Sequence, residues 1–88
     1  MIGICGNEKA SDAVVTVNLE AQGRTVEIKS KLKDMFGSLM EKAVMETLDE
    51  LKVENAHVKV EDFGALDFII KARTKTATNR ARKAGGIN

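Results

Sequence analysis

Leu32-Lys33-Asp34-Met35-Phe36-Gly37-Ser38-Leu39-Met40-Glu41-Lys42-Ala43-Val44-Met45-Glu46-Thr47-Leu48-Asp49-Glu50-Leu51 is the stretch that decides the fold. Apolar residues recur at Leu32, Met35, Phe36, Leu39, Ala43, Leu48 and Leu51, and Met40 and Val44 widen the stripe. Asp34, Ser38, Glu41, Lys42, Asp49 and Glu50 take the opposite side. This is helical spacing over about five turns, so one long helix is predicted whose apolar face must be buried against another element. Ser30 is placed to cap it, its hydroxyl accepting from a free N–H of the following turn. Asp34 lies near the positive helix end, as the dipole prefers. The helix should stop near Lys52. Gly37 interrupts it at a cost of roughly 1 kcal/mol relative to Ala, which a close approach to a sheet would explain.

The partner for that face is written on either side of it. Ala13, Val15, Val17 and Leu19 alternate with Val14, Thr16, Asn18 and Glu20, the pattern of a half-buried strand. Ala21-Gln22-Gly23-Arg24 reads as a turn, and Thr25 to Lys29 resumes the alternation with Val26 and Ile28 inward, so a hairpin is expected. Beyond the helix, Ala56, Val58 and Val60 alternate with His57, Lys59 and Glu61. Glu61-Asp62-Phe63-Gly64 supplies a turn, and Leu66, Phe68, Ile70 and Ala72 alternate again, giving a second hairpin. Phe68-Ile69-Ile70 is a continuous apolar run, and periodicity leaves a helix open there. Ala77, Ala81 and Ala84 line one side of a short terminal helix ended by Gly85-Gly86. The expected fold class is α+β: a two-layer ββαββ antiparallel sheet with one long packed helix, plus a short C-terminal helix. Residues 1–12, polar from Asn7 to Asp12 and without sustained periodicity, are expected to be a flexible N-terminal arm, and residues 13–88 a single domain.

A chain of 88 residues has room for one domain. Trp, Tyr and Pro are absent, and three Phe supply all the aromatic core. Acids and bases nearly cancel at a formal charge of +1, which argues against a nucleic-acid binder or an anionic-membrane binder. One cysteine, Cys5, excludes an internal disulfide and a multi-cysteine metal site. No apolar stretch approaches the ~18 residues that span a bilayer. Met1 to Gly6 has no basic region and too short an apolar run for a signal peptide, so a cytoplasmic protein is expected.

Catalytic groups are scarce. His57 falls on the outward face of a strand without the partners that acid–base work needs. Cys5 has no second His or Asn nearby and reads as a small apolar residue or free thiol. Glu61-Asp62 and Asp67 read as solvated turn carboxylates, because nothing completes a metal ligand set. Gly85-Gly86 has no preceding strand and no following Lys-Ser/Thr, so it is not a phosphate loop. Lys71, Arg73, Lys75, Arg80, Arg82 and Lys83 form a basic tail with no acid among them. Without aromatics to stack bases, this tail reads as a solvated face that docks on an acidic partner or binds a phosphorylated ligand.

Val58-Lys59-Val60-Glu61-Asp62-Phe63-Gly64-Ala65-Leu66-Asp67, then Ala72-Arg73 and Asn79-Arg80-Ala81, resembles the gamma chain of citrate lyase. Met35-Phe36-Gly37, Glu46-Thr47-Leu48, Gly6 and Ser11-Asp12 are also similar to that family, so the resemblance runs in order over almost the whole chain. It implies a non-catalytic acyl carrier subunit in which an N-terminal serine bears 2′-(5″-phosphoribosyl)-3′-dephospho-CoA through a phosphodiester. The thiol of that arm is acetylated. The resemblance further implies an alpha subunit that exchanges acetyl for citrate, and a beta subunit that cleaves the citryl thioester to oxaloacetate and acetyl thioester. A prosthetic-group transferase is implied as a third partner. The alternative is an unmodified protein- or RNA-binding module that uses the basic tail, and a related carrier for another acyl group, as in malonate decarboxylase, stays open.

The chain has three serines. Ser30 is spent as a cap and Ser38 lies inside the helix, so Ser11 is the one in an exposed, irregular segment. The family's modified serine stands two residues before the Asp, where this chain has Ala10, and Ser11 matches the neighbouring Ser/Gly position. Either attachment has slipped by one residue, or this version has lost its serine and Ser11 is a turn hydroxyl.

Overall fold

A computed structural model describes residues 1–85. Its elements are β1 (Ile2–Gly6), β2 (Ala13–Asn18), β3 (Arg24–Lys29), α1 (Lys33–Glu50), β4 (Ala56–Asp62) and α2 (Asp67–Ala84). The α+β class is as expected, but the order is βββαβα rather than ββαββ with a short helix. The four strands form one mixed sheet in the order β1-β2-β4-β3. β1 and β2 are antiparallel, as are β2 and β4, whereas β3 runs parallel to β4.

Neither expected hairpin forms. β4 lies between β2 and β3, with Val58 opposite Val17 on one side and Val26 on the other. The chain after β2 therefore crosses to the far lane, where the Gly23 carbonyl accepts from the Ala56 N–H at 2.9 Å. A parallel pair cannot be closed by a tight turn, and residues 30–55, containing α1, make the crossover. Leu66 to Ala72 is not a strand, since Asp67 begins α2. Ile70, Thr74, Ala77, Thr78 and Ala81 are its buried stripe, at helical spacing. Gly85 caps it, and Gly86 lies outside the described residues.

The N-terminal segment is also corrected. Ile2–Gly6 is not arm but edge strand β1, registered along β2 from Ile2 opposite Asn18 to Gly6 opposite Val14. It turns Gly3 and Cys5 inward, while Ile2 and Ile4 face out at 53 % exposure each. The inward pair is small because α2 sits on it. A methyl at Gly3 would run into the Ala77 carbonyl oxygen and the Ala81 backbone nitrogen.

α2 lies over β1 and β2, α1 lies against β3, and the helices pack on each other. The core is Val15 and Val17 of β2, Val58 and Val60 of β4, Val44 and Leu48 of α1, and Ile70 of α2, all at most 1 % exposed. Each such aliphatic side chain contributes about 1.5–3 kcal/mol by leaving water. Two of the buried threonines avoid that burial's polar cost by turning back on their own helix: Thr47 Oγ1 donates to the Ala43 carbonyl at 2.9 Å and Thr74 Oγ1 to the Ile70 carbonyl at 2.7 Å. On α1 the buried residues are Met40, Ala43, Val44, Thr47 and Leu48. The expected stripe of the first two turns, Leu32, Met35, Phe36 and Leu39, is instead exposed, because α2 covers only the C-terminal part of the helix. No helix among the described residues is long and apolar enough to cross a membrane.

Candidate functional site

The loop joining β1 to β2, residues 7–12, carries Ser11. Gly6 ends β1 at φ +122, where a side chain would also strike the Ala13 carbonyl, so the chain can leave the strand only with glycine there. The Asp12 N–H donates to the Lys9 carbonyl at 3.1 Å, closing a turn over residues 9–12. Ser11 is in the left-handed region at φ +68, an unusual place for a residue with a Cβ. It is held there by neighbours: Ser11 N–H donates to the Phe63 carbonyl at 2.8 Å, and Phe63 N–H to the Asp12 carbonyl at 2.9 Å.

Asp12 locks this geometry with its side chain. Its Oδ1 accepts from the Ala13 N–H at 2.7 Å and from Arg73 Nε at 3.0 Å, and its Oδ2 accepts from Arg73 Nη2 at 2.8 Å. Asn7 Nδ2 reaches the same Oδ2 at 3.3 Å. A two-point guanidinium–carboxylate fork fixes orientation as well as distance. These hydrogen bonds, Arg73 foremost and then the Ala13 N–H, hold the Asp12 carboxyl at about 2, below its ordinary 3.8. Arg73 is raised in turn by the Asp12 hydrogen bond. The pair ties α2 to the loop across 61 positions of sequence, and sequence reasoning missed it because Arg73 looked like one more charge of a basic tail.

That tail is largely consumed within the fold. Besides Arg73, Arg80 Nη1 donates to the Ile4 carbonyl at 2.7 Å, Arg82 Nη2 to the Leu51 carbonyl, and Lys71 pairs with Glu46 at 3.3 Å. Lys75 and Lys83 stay exposed. The tail read as a solvated face is thus tied to the fold at Lys71, Arg73, Arg80 and Arg82.

Of the three serines, Ser11 and Ser38 are exposed. The Ser30 hydroxyl donates to Asp62 Oδ2 at 2.8 Å and accepts from the Leu32 N–H at 3.0 Å, so it holds a turn ahead of α1 and is not the expected helix cap, a position Leu32 takes without a side-chain bond. Among the described residues the Ser11 hydroxyl makes no hydrogen bond, so it is uncommitted on a backbone that is pinned. Its neighbour Ala10 lines a cleft of about 940 Å³ with Lys31, Leu32, Phe63 and Gly64.

The remaining candidates have structural partners. Asp62 is buried, its second oxygen accepting from the Ala65 N–H at 2.8 Å, which shapes the turn into α2. Asp67 Oδ1 accepts from the Phe68 N–H at 2.9 Å in the first turn of α2. His57 Nδ1 lies 2.6 Å from Thr25 Oγ1 on the open sheet face. Cys5 is buried, with Arg73 Nη1 3.8 Å from its sulfur. No cluster of metal-ligating side chains is present among the described residues.

Comparison with known proteins is consistent in one direction. Residues 2–81 match an acyl carrier family model described as malonate decarboxylase delta subunit (MdcD). A protein of Fusobacterium nucleatum subsp. nucleatum named citrate lyase acyl carrier protein is 45% identical over 84 residues, 94% of this chain and 89% of that one. Proteins of the same name from Streptococcus mutans serotype c and Halothermothrix orenii are 46% and 38% identical over 79 and 78 residues. Each alignment covers 89% of this chain, and 78% and 83% of the respective relative.

Proposed function

The chain belongs to the citrate lyase acyl carrier protein family, and from that premise we propose that it serves a citrate-lyase-type complex with Ser11 as its attachment point. As an acyl carrier it is a non-catalytic subunit. The proposed group is 2′-(5″-phosphoribosyl)-3′-dephospho-CoA, joined to Ser11 Oγ through a phosphodiester. When bound, it supplies a thiol that carries acetyl or citryl as a thioester. The partners in this reading are alpha and beta subunits of the lyase and a prosthetic-group transferase.

The observation that carries the Ser11 assignment is the contrast between hydroxyls. Ser30 is committed at both ends of its hydroxyl and beside a buried carboxylate, whereas Ser11 is exposed, unbonded among the described residues, and set on a clamped loop. An attachment point needs that combination. The hydroxyl must reach a transferase, and the backbone must return the arm to a fixed place so that each partner meets it at high local concentration. The Asp12–Arg73 fork supports the second requirement. The left-handed φ at position 11 accounts for a Ser/Gly position directly after Ala10, and it puts Ala10 rather than Ser11 on the cleft wall.

Co-expression with the prosthetic-group transferase and intact-mass spectrometry test this directly. The expected result is one adduct on the peptide holding Ser11, absent in Ser11→Ala and retained in Ser38→Ala. An unmodified chain, or an adduct that forms only in Ala10→Ser, overturns the Ser11 assignment.

A further inference from the structure

The sheet has two edges, and the fold treats them differently. At the β1 edge, Arg80 Nη1 reaches over from α2 and occupies the Ile4 carbonyl at 2.7 Å. The β3 edge has no such cover. The Gly23 carbonyl accepts from the Ala56 N–H, so by the alternation of a parallel ladder Thr25, Glu27 and Lys29 turn their backbone groups toward β4. The N–H and C=O groups of Arg24, Val26 and Ile28 then point outward, and none has a hydrogen-bond partner among the described residues. An edge left in this state is a template for another strand.

Beside that edge lies a hollow of about 370 Å³, between Val26 and Ile28 of β3 and Lys33, Gly37 and Glu41 of α1. Lys33 and Glu41 stand on one face of the helix, each about 6 Å of rise from Gly37. Neither is in an ion pair among the described residues. Glu27, the other charge on this hollow, belongs to the open sheet face, where its carboxylate lies 3.9 Å from His57 Nε2. Lys42 lines the hollow on the other side of α1. Gly37 has no evident use within the chain, because a methyl there would meet only the Lys33 side chain, yet glycine weakens a helix interior. The order base, glycine, acid is complementary to its own reverse. A two-fold axis supplies that reverse: it turns Lys33 toward the partner's Glu41, and brings the two α1 helices together where the small residue allows close approach.

We propose that β3 is the seam of a two-fold dimer: a second copy of this chain adds its β3 antiparallel to the first, so that the two sheets run on as one and the α1 helices cross at Gly37. The same axis serves both layers, since it reverses the edge strand and the helix together. The outward side chains of the seam, Thr25, Glu27 and Lys29, carry one charge of each sign, so the reversed copy meets no single-sign row. The inference does not depend on Ser11. The β1–β2 loop lies beyond β4 from the seam, at the end of the sheet where Ala13 faces Asp62 and Lys29 faces Glu61. Both serine-bearing loops therefore stay uncovered, and the antiparallel seam points them to opposite ends of the joined sheet.

Sedimentation equilibrium and amide hydrogen exchange of the unloaded chain test the seam together. From ~10 µM to ~1 mM the chain should pass from monomer toward dimer. Exchange at the Val26 and Ile28 amides should slow over the same range. Glu41→Lys should weaken association about tenfold, because one substitution acts twice across the axis. Adding Lys33→Glu to it should return the affinity to within about threefold of the parent's. Both positions are exposed, so the circular dichroism of the dilute variants should match the parent's. A chain that stays monomeric at ~1 mM overturns the proposal. So does a dimer that leaves exchange at Val26 and Ile28 unchanged, or a double variant that associates no more tightly than Glu41→Lys.

Discussion

Gly3→Ala probes the contact on which the attachment loop depends. Gly3 lies under α2, and an added methyl meets the Ala77 carbonyl oxygen and Ala81 backbone nitrogen, atoms that no rotamer change can move. Relief requires α2 to lift from β1. Overpacking costs typically about 1–3 kcal/mol, and backbone obstruction puts this case in the upper half of that range. Removing glycine's freedom in the unfolded chain returns about 0.5–1 kcal/mol. The net destabilisation is thus about 2 kcal/mol, which lowers the melting temperature of a domain this size by roughly 8–16 °C. Thermal unfolding of the unloaded chain by circular dichroism at neutral pH measures it. Gly37→Ala is the internal contrast, because its methyl meets only the flexible Lys33 side chain, at 3.1 Å. Helix propensity there returns up to about 1 kcal/mol, so this variant should melt higher. A Gly3→Ala protein that melts at or above the parent would refute the close packing of α2 on β1, and with it the route by which Arg73 reaches Asp12.

Three further outcomes follow from individual side chains. Because Arg73 and the Ala13 N–H hold the Asp12 carboxyl at about 2 against an ordinary 3.8, its contribution is complete above about pH 4 and disappears as the pH falls toward 2. The stability difference between parent and Asp12→Asn should therefore be level from pH 7 to about 4 and then shrink, and a difference that stayed level to pH 2 would contradict the fork. Ser30→Ala removes the donor to buried Asp62 and the acceptor for Leu32. Urea unfolding should show a loss of about 1.5–3 kcal/mol, and a loss below about 0.5 would count against that bond. Thr78 Oγ1 is buried without a partner among the described residues, so Thr78→Val should raise stability by about 1 kcal/mol in the same assay; a decrease would show that the hydroxyl has a partner in solution.

Local periodicity carried α1, β2, β3 and β4, because each buries alternate or helically spaced aliphatic residues. It failed where the inward residues were small or polar. β1 was hidden because Ile2 and Ile4 face outward while Gly3 and Cys5 face the core. The start of α2 looked like strand because Phe68-Ile69-Ile70 dominated, while Thr74 and Thr78 counted as polar although both are fully buried. A stripe at 70, 74, 77, 78 and 81 was present all along for a reading that admits threonine to the core. Strand order could not be read from adjacency, since β4 separates strands that are neighbours in sequence. At the site, the resemblance puts the attachment serine where this chain has Ala10, and Ser11 is reached as the serine of an exposed, irregular segment; the fork between Asp12 and Arg73 left no local signal.

The placement of β4 also dictates when this protein can exist. Strands β2 and β3 are laid down first with a lane between them, about two inter-strand spacings or ~9.6 Å across their axes, which only β4 fills. A nascent chain halted before Ala56 has one hairpin, one strand without its sheet partner, and a helix that lacks α2 to pack on. Release of β4 and then α2 closes the sheet, roofs it, and brings Arg73 onto Asp12 in the same event. The serine-bearing loop is therefore made before β4 and α2 and takes its clamped shape only with them, so a transferase that recognises the clamped loop would act only on folded carriers.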